Sequence, residues 1–287
     1  MTDRAISILE GIKRHKARSG APAVMLDAIA ERGKVAMHAT DLHSQELPEY
    51  PRLATGIEGL EDFKGFQGVS IIDGDAATGK SIMALACALE LAHEGKCVVY
   101  LDAENGPART QRRIRRWYLP KQWPDTFASI AGRTFFYFNV LHGHELLQIV
   151  ETIAECVQHD HDGAVVVFDS LNAIGRRLLR KREDELSKVA KMLGWADEVT
   201  QRTHGKVAFL ALCERTRAGG VKGHTAEYTC TTRIDIARDE AGRKDEVKLT
   251  LAKDRDAECP LYLGVFQRQH ERGRFVRQGG WSSRAQV

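Results

Sequence analysis

A glycine-rich segment at residues 74–81 has the spacing of a loop that binds phosphate. Glycines permit a loop whose backbone N–H groups point inward at anionic oxygens, and a helix that starts after the loop adds its positive dipole end. The segment follows a predicted strand and precedes a predicted helix, which is the setting of a nucleotide-binding P-loop. Lys80 is then expected to reach the β- and γ-phosphates of ATP, and Ser81 to bind Mg²⁺. The loop reads Gly74-Asp75-Ala76-Ala77-Thr78-Gly79-Lys80-Ser81.

Two acidic residues end predicted strands, where they could act on a bound triphosphate. Asp169 follows the apolar run at 164–168. Such an aspartate is often a helix cap, but after a buried strand it also suits support of Mg²⁺, which we favour. Glu104 ends the strand after the P-loop helix, at 97–101. We expect it to polarise the attacking water as a general base; the alternative is a surface loop residue.

The remaining pattern predicts an α/β fold with a mostly parallel β-sheet. Strands that are apolar throughout and separated by helices are buried on both faces, so we expect helices on both sides of the sheet. The last strands are joined by short turns, which predicts antiparallel hairpin strands at the C-terminal end. Strands are predicted at 69–72, 97–101, 135–140, 164–168, 207–212, 233–237, 247–252 and 261–266, and helices at 80–94, 107–118, 143–157 and 183–202.

Composition limits the classes to which the chain can belong. The 287 residues are 43% hydrophobic and 28% charged, with a net charge of +3. These are values of an ordinary globular protein, so nucleic-acid binding would have to come from local basic clusters. No apolar run approaches the ~18 residues of a membrane helix, and the 6 cysteines include no Cys-x-x-Cys pair. We expect a cytoplasmic protein with reduced thiols, and we interpret the histidines at 142–144 and 159–161 as loop residues rather than metal ligands.

The N-terminal 50 residues differ in pattern from the rest of the chain. Residues 4–17 and 22–33 have helical periodicity, and the polar connector at 39–52 contains Pro48 and Pro51, which end it. The arm could be a helical cap on its own core or a docking element for a neighbouring subunit.

The chain resembles the RecA-like P-loop motor ATPases over about 53–280. It is most similar to hexameric DnaB-type and plasmid RepA-type replicative helicases, with RadA and RecA recombinases as more distant relatives. The resemblance implies a RecA-like ATPase core at 51–287, with the N-terminal helical arm and connector at 1–50. It is carried by the segments 55–60, 100–105, 169–177 with 182–186, 232–236, and 252–256 with 264–266.

The resemblance to these motors also implies a homo-oligomer. The segment Ala252-Lys253-Asp254-Arg255-Asp256 is similar to the Lys-x-Arg hairpin that reaches the ATP site of the adjacent subunit. Lys253 and Arg255 are the implied trans-acting residues, and the alternative is a solvated charged turn. The family usually has a Gln or His that senses the γ-phosphate after the strand at 207–212; here Glu214 occupies or adjoins that place.

Two loops hold single-stranded DNA in such rings and filaments, and both are basic in this chain. Mobile basic loops suit tracking of a phosphate backbone, although a charge run is more often a solvated face. A third cluster, in the helix at 107–118, is assigned first to subunit contacts or solvent. The predicted DNA contacts are Arg176, Arg177, Arg180, Lys181 and Arg182 in the first loop, and Arg215, Arg217 and Lys222 in the second.

We therefore expect an ATP-hydrolysing DNA motor, favoured as a hexameric single-stranded-DNA translocase or helicase in replication. A RecA/RadA-like recombinase or recombination mediator forming a filament is the alternative within DNA metabolism. A KaiC-like regulatory ATPase acting on protein partners is the alternative from another class. A small-molecule kinase shares the P-loop, but Glu104 and the Lys253/Arg255 hairpin argue against it.

Overall fold

The apolar runs of the sequence form the strands of one sheet in the computed structural model. The structure describes residues 52, 60, 63, 65–118, 134–140, 148–155, 163–178, 185–215, 229–240, 242–243, 245–255, 259–269 and 274–278. The strands are β1 (Val69–Gly74), β2 (Cys97–Asp102), β3 (Phe135–Asn139), β4 (Ala164–Asp169), β5 (Val207–Glu214), β6 (Thr232–Arg238), β7 (Glu246–Asp254), β8 (Leu261–Gln269) and β9 (Arg274–Arg277). The helices are α1 (Lys80–His93), α2 (Pro107–Tyr118), α3 (Leu171–Leu178) and α4 (Glu185–Arg202), and residues 148–155 are also helical.

The nine strands form a mixed sheet in the order β3-β2-β4-β5-β1-β6-β7-β8-β9. The six strands from β3 to β6 in this order pair in parallel, and β6 to β9 pair as antiparallel neighbours. The predicted fold, a mostly parallel sheet that ends in antiparallel hairpins, is therefore confirmed. The eight predicted strands are present, and β9 was not predicted.

The sheet is buried on both faces because alternate residues of its central strands enter two separate cores. Ile71 of β1 packs with β4, β5, the segment 148–155, α3 and α4. Its neighbour Ile72 packs in the other core, with α1 and with β6 to β9. Each such side chain contributes roughly 1.5–3 kcal/mol when fully buried. A strand apolar at every position is thus explained by helices on one face and helices plus hairpin strands on the other.

Two predictions differ from the structure or lie outside it. The segment after Asp169 was expected to be a loop, but residues 171–178 form α3, because Leu171 and Ile174 are fully buried against the sheet. The arm at 1–50 lies outside the described residues, so its two interpretations stay open. No helix in the described ranges has the length and apolar character needed to cross a membrane.

Candidate functional site: a nucleotide cavity at the carboxyl edge of the sheet

The glycine-rich loop joins the end of β1 to the start of α1, and each of its two glycines is required for a different structural reason. A Cβ at Gly74 would collide with the carbonyl oxygen of Ile236, because β6 passes directly alongside. Gly79 has φ 102° and Ala77 has φ 63°, both in the left-handed region. Thr78 closes the turn, with its hydroxyl donating to the Asp75 carbonyl at 2.9 Å. The backbone therefore has the tight curvature of a phosphate-binding loop.

Lys80 extends across this loop from the first turn of α1. Its ammonium group donates to the carbonyl oxygens of Gly74 at 2.7 Å and Asp75 at 2.8 Å. Burial lowers the pKa of Lys80, and the carboxylates of Glu214 and Glu104 act in the opposite direction. The N-cap residue of α1, Gly79, has no side-chain cap. The start of the helix is thus available to an anion, which the charged lysine and the helix dipole both favour.

Ser81 and Asp169 meet although 88 residues separate them in sequence. The Ser81 hydroxyl donates to one carboxylate oxygen of Asp169 at 2.9 Å. The other oxygen accepts from the Tyr100 hydroxyl at 2.7 Å and the Asn105 amide at 2.9 Å. Burial raises the pKa of Asp169 to about 6, while the hydrogen bonds from Tyr100 and Ser81 lower it. The contacts of Tyr100 and Asn105 with Asp169 were not predicted from the sequence. The two residues flank Asp102 of β2, which pairs in register with Asp169 of β4.

These oxygen atoms fit a magnesium ion that completes its coordination with substrate phosphates and water. Mg²⁺ is normally held by one or two protein ligands in nucleotide sites. Among the described residues, no group of three or more His, Cys, Asp or Glu side chains is placed to hold a metal. The Ser81–Asp169 pair is therefore the candidate magnesium site, with no all-protein cage around it.

Glu104 projects into the same cavity from the loop after β2. The loop is shaped by Asp102, a fully buried carboxylate that accepts from the backbone N–H of Glu104 at 2.9 Å and of Asn105 at 2.7 Å. Its other oxygen accepts from the hydroxyls of Thr110 and Tyr137, both at 2.9 Å. Asp102 therefore fixes the backbone and leaves the exposed Glu104 carboxylate facing the cavity. This positioning role was missed, since the sequence does not reveal that Thr110 and Tyr137 converge on one aspartate.

The P-loop, Glu104, Asp169 and Glu214 line a cavity of about 700 Å³. Pockets of this size suit a small-molecule ligand such as a nucleotide. The walls are strongly cationic, and four of the five α2 arginines belong to them rather than only to solvent or a subunit contact. The cationic lining residues are Lys80, Arg109, Arg112, Arg113, Arg116, Arg238 and Arg268.

Arg268 of β8 holds the P-loop from the side of the antiparallel strands. One guanidinium nitrogen donates to the Ala77 carbonyl at 2.7 Å, and another to Asp245 at 3.1 Å. A Cβ at Gly79 would lie 2.9 Å from the Phe275 ring and 3.0 Å from the Arg268 side chain. The β8–β9 hairpin therefore packs directly on the loop. No sequence signal indicated this, because Arg268 lies 191 residues from Ala77.

Glu214 lies on the cavity wall, where its carboxylate acts on Lys80. Its backbone N–H donates to the Asn172 side chain at 3.0 Å, which ties the end of β5 to α3. The residue that follows it, Arg215, has a position different from the one expected. Its guanidinium donates to Asp73 at 2.9 Å and pairs with Asp235 at 3.1 Å. Its charge is therefore neutralised inside the protein, which argues against a direct contact of Arg215 with DNA phosphate.

Asp73, Arg215, Arg233 and Asp235 form an ion cluster behind the P-loop. Arg233 lies 3.2 Å from Asp73 and 2.8 Å from Asp235. Burial raises the pKa of Asp73, but its hydrogen bond with Asp235 and the charges of Arg233 and Arg215 outweigh burial and hold that pKa below the ordinary 3.8. Burial and the neighbouring Asp73 raise the pKa of Asp235 to about 7. The two carboxyl groups therefore titrate as a pair.

Lys253 and Arg255 lie at the opposite edge of the sheet from the cavity of their own chain. Asp254 pairs with Thr232 at the start of β6, whereas the P-loop follows the end of β1, where Gly74 pairs with Ile236. Asp254 is 8% exposed and accepts two hydrogen bonds from Arg52, at 3.0 and 3.1 Å. This inward carboxylate fixes the strand end, and Arg255 beside it is exposed.

The predicted DNA contacts are only partly within the described residues. Arg176 is exposed on α3, and Arg177 belongs to the same helix. Arg180, Lys181, Arg182, Arg217 and Lys222 lie outside the described residues.

Comparison with known proteins agrees with this geometry. A family model described as an AAA domain, AAA_25, matches residues 60–215. No curated protein matches the chain significantly in sequence. A DnaB-like replicative helicase, solved in a study of its interactions with primase, has a TM-score of 0.64 at 14% identity, covering 96% of this chain and 76% of its own.

Two further solved structures cover most of the chain. A KaiC-like protein from the hyperthermophilic archaeon Pyrococcus horikoshii has a TM-score of 0.60 at 17% identity, covering 80% of this chain and 100% of its own. The RadB recombinase has a TM-score of 0.58 at 21% identity, covering 79% of this chain and 100% of its own. At these identities the likeness establishes the fold. The chain belongs to the AAA_25 family of AAA domains, and its fold is that of the RecA-like P-loop ATPases.

Proposed function

We propose that the chain is an ATP-hydrolysing DNA motor that works as a homo-oligomer, favoured as a hexameric single-stranded-DNA translocase or helicase in replication. The observation that carries this proposal is the separation of the proposed catalytic residues, which lie at two opposite edges of the sheet. Lys80, Glu104 and Asp169 surround the cavity at one edge, whereas Lys253 and Arg255 lie at the other. An ATP site completed by these two cations requires a second copy of the chain.

The chemistry follows from the placement of the cavity residues. Glu104 accepts the proton of the water that attacks the γ-phosphate, and Lys80 holds the β- and γ-phosphates. A Mg²⁺ ion bound by Ser81 and Asp169 would neutralise phosphate charge. Arg255 and Lys253 of the adjacent subunit stabilise the charge that develops on the leaving phosphates. Because a cation supplied in this way is worth roughly 10³–10⁵ in rate, assembly would control turnover.

The DNA part of the proposal rests on the neighbouring positions of β4 and β5. The two strands pair in parallel from Ala164 with Val207 to Phe168 with Ala211. The chain therefore leaves β4 and β5 at neighbouring positions of the edge that lines the cavity, and the two basic segments come next in sequence. A contact between these segments and a phosphate backbone could reach the ATP site through Asn172 and Glu214, which are hydrogen-bonded to each other.

The test is steady-state ATPase activity with and without single-stranded DNA, from about 50 to 200 mM salt. We expect several-fold stimulation that fades as salt rises, because backbone contacts release counterions. Lys80→Ala serves as the control that identifies activity from this cavity. A rate that DNA leaves unchanged would contradict the motor proposal and favour the alternative, a KaiC-like regulatory ATPase acting on proteins.

A further inference from the structure

The arginines of α2 give the cavity more positive charge than is required to bind a nucleoside triphosphate. Arg109, Arg112 and Arg116 line the cavity together with Arg113. Positions i, i+3, i+4 and i+7 share one face of a helix, so the four side chains form a stripe. With a rise of 1.5 Å per residue, the stripe is roughly 10 Å long. One phosphate group does not occupy a surface of that length.

Three of the four arginines of this stripe have no ion-pair partner among the described residues. Within the described part of the chain, no carboxylate forms an ion pair with Arg109, Arg112 or Arg116. The three side chains are exposed to the cavity and solvent. Among the described residues that line the cavity, seven are cationic and three are carboxylates. Arg268 is also paired with Asp245, so an excess of three positive charges remains. MgATP is a dianion, and it leaves part of this excess unbalanced.

The stripe lines the same cavity as Glu104. The proposed binding groups for the triphosphate are the P-loop and Lys80. Helix α2 begins at Pro107, three residues after Glu104. An anion bound by the stripe would therefore share the cavity with Glu104, the proposed base for the attacking water, rather than occupy the P-loop. Phosphate groups suit arginine here because a planar guanidinium binds their oxygens with paired hydrogen bonds.

We propose that Arg109, Arg112 and Arg116 form a second phosphate subsite, which takes a phosphate group beyond the γ-position. The ligand is either the extra phosphate of a longer polyphosphate chain or the inorganic phosphate released by hydrolysis. The subsite deepens the proposed ATPase function of the same cavity and rests on it. It implies that product phosphate is held after bond cleavage, and that phosphate competes with the next turnover.

The test compares adenosine 5′-tetraphosphate with ATP as competitors of a fluorescent ATP analogue. The wild-type protein is expected to bind the tetraphosphate roughly tenfold more tightly, as one or more charge-assisted contacts would give. The double variant Arg112→Ala/Arg116→Ala is expected to lose this preference, because its affinity for the tetraphosphate falls about tenfold more than its affinity for ATP. Arg115→Ala is the matched control, because Arg115 is exposed on the same helix but is not a lining residue.

Inorganic phosphate, titrated calorimetrically onto the ADP complex, distinguishes the two phosphate sources. The subsite is supported if the double variant loses its preference for the tetraphosphate or its binding of inorganic phosphate, while Arg115→Ala behaves like the wild type. Equal affinity of the wild type for ATP and the tetraphosphate, with no phosphate binding, overturns it, as does an equal loss in Arg115→Ala. If the double variant loses only affinity for a single-stranded oligonucleotide, or only its oligomeric mass in sedimentation, the stripe serves DNA or a subunit and the proposal is wrong. A wild-type protein that binds no ATP would refute the proposed function, and calorimetry with inorganic tripolyphosphate would still test the subsite.

Discussion

Replacing Arg215 by alanine is expected to destabilise the protein rather than only to weaken a contact with DNA. Arg215 lies 2.9 Å from Asp73, whose side chain is 0% exposed, and the arginine itself is 17% exposed. Removing one partner of a buried ion pair costs about 3–5 kcal/mol, because the other charge stays buried. Arg233 also lies 3.2 Å from Asp73 and would remain as a partner, so we reduce the expected loss to about 2–3 kcal/mol.

The measurement is urea-induced unfolding followed by circular dichroism, with the slope of the transition checked for constancy. Arg115→Ala serves as the control for loss of an exposed arginine, and we expect its stability to stay within about 0.5 kcal/mol of the wild type. The folded Arg215→Ala protein should keep the salt dependence of DNA binding, since a phosphate contact would reduce the slope by about one unit. Unfolding free energy equal to that of the control, together with a reduced slope, would refute the reasoning and restore Arg215 as a DNA contact.

Four further predictions concern the site and the ion cluster. Glu104→Gln should still bind a fluorescent ATP analogue but hydrolyse ATP roughly 10²–10⁴-fold more slowly; hydrolysis at the normal rate would remove Glu104 from the mechanism. Tyr100→Phe removes the 2.7 Å hydrogen bond to Asp169, so the Mg²⁺ concentration for half-maximal ATPase activity should rise about tenfold or more; an unchanged requirement would count against the magnesium site. Mixing Arg255→Ala subunits with wild type should lower ATPase activity more steeply than dilution does, whereas strictly proportional loss would argue against action in trans. Because the pKa of Asp235 is raised to about 7 in the folded state, its contribution to stability is present below the unfolded value and is lost as pH rises through about 7; Asp235→Asn should flatten this dependence in thermal unfolding, and an unaltered pH profile would contradict the assignment.

The parts of the fold that the sequence predicted are those set by local pattern. Continuous apolar runs such as 164–168 identified buried strands because both faces of a parallel sheet are covered. The P-loop was identified because its glycines, lysine and serine are adjacent in sequence. Asp169 was placed correctly near Ser81, at 2.9 Å, because the carboxyl ends of parallel strands meet at one edge of the sheet.

The parts that were missed depend on which strands become neighbours. Arg215 looked like a free loop cation because its partners come from β1 and β6. The folded sheet has the order β5-β1-β6, so β1 lies between the other two strands, and this order is not visible in the sequence. The helical periodicity of α2 could be read from the sequence, but not the direction of its arginine face, so its place on the cavity wall was not predicted.

The sheet order also suggests why a charged cluster is tolerated directly behind the nucleotide loop. Asp73 immediately precedes Gly74, and Arg215 immediately follows Glu214, so one ion pair joins the base of the P-loop to the base of the second basic segment. An apolar contact at this point would let the two segments shift relative to each other with little change in energy. Separating a buried ion pair costs more free energy. The proposed DNA contact of the segment after Arg215 would thus be linked to the loop that follows Asp73. In the proposed motor, such a link would couple DNA contact to hydrolysis.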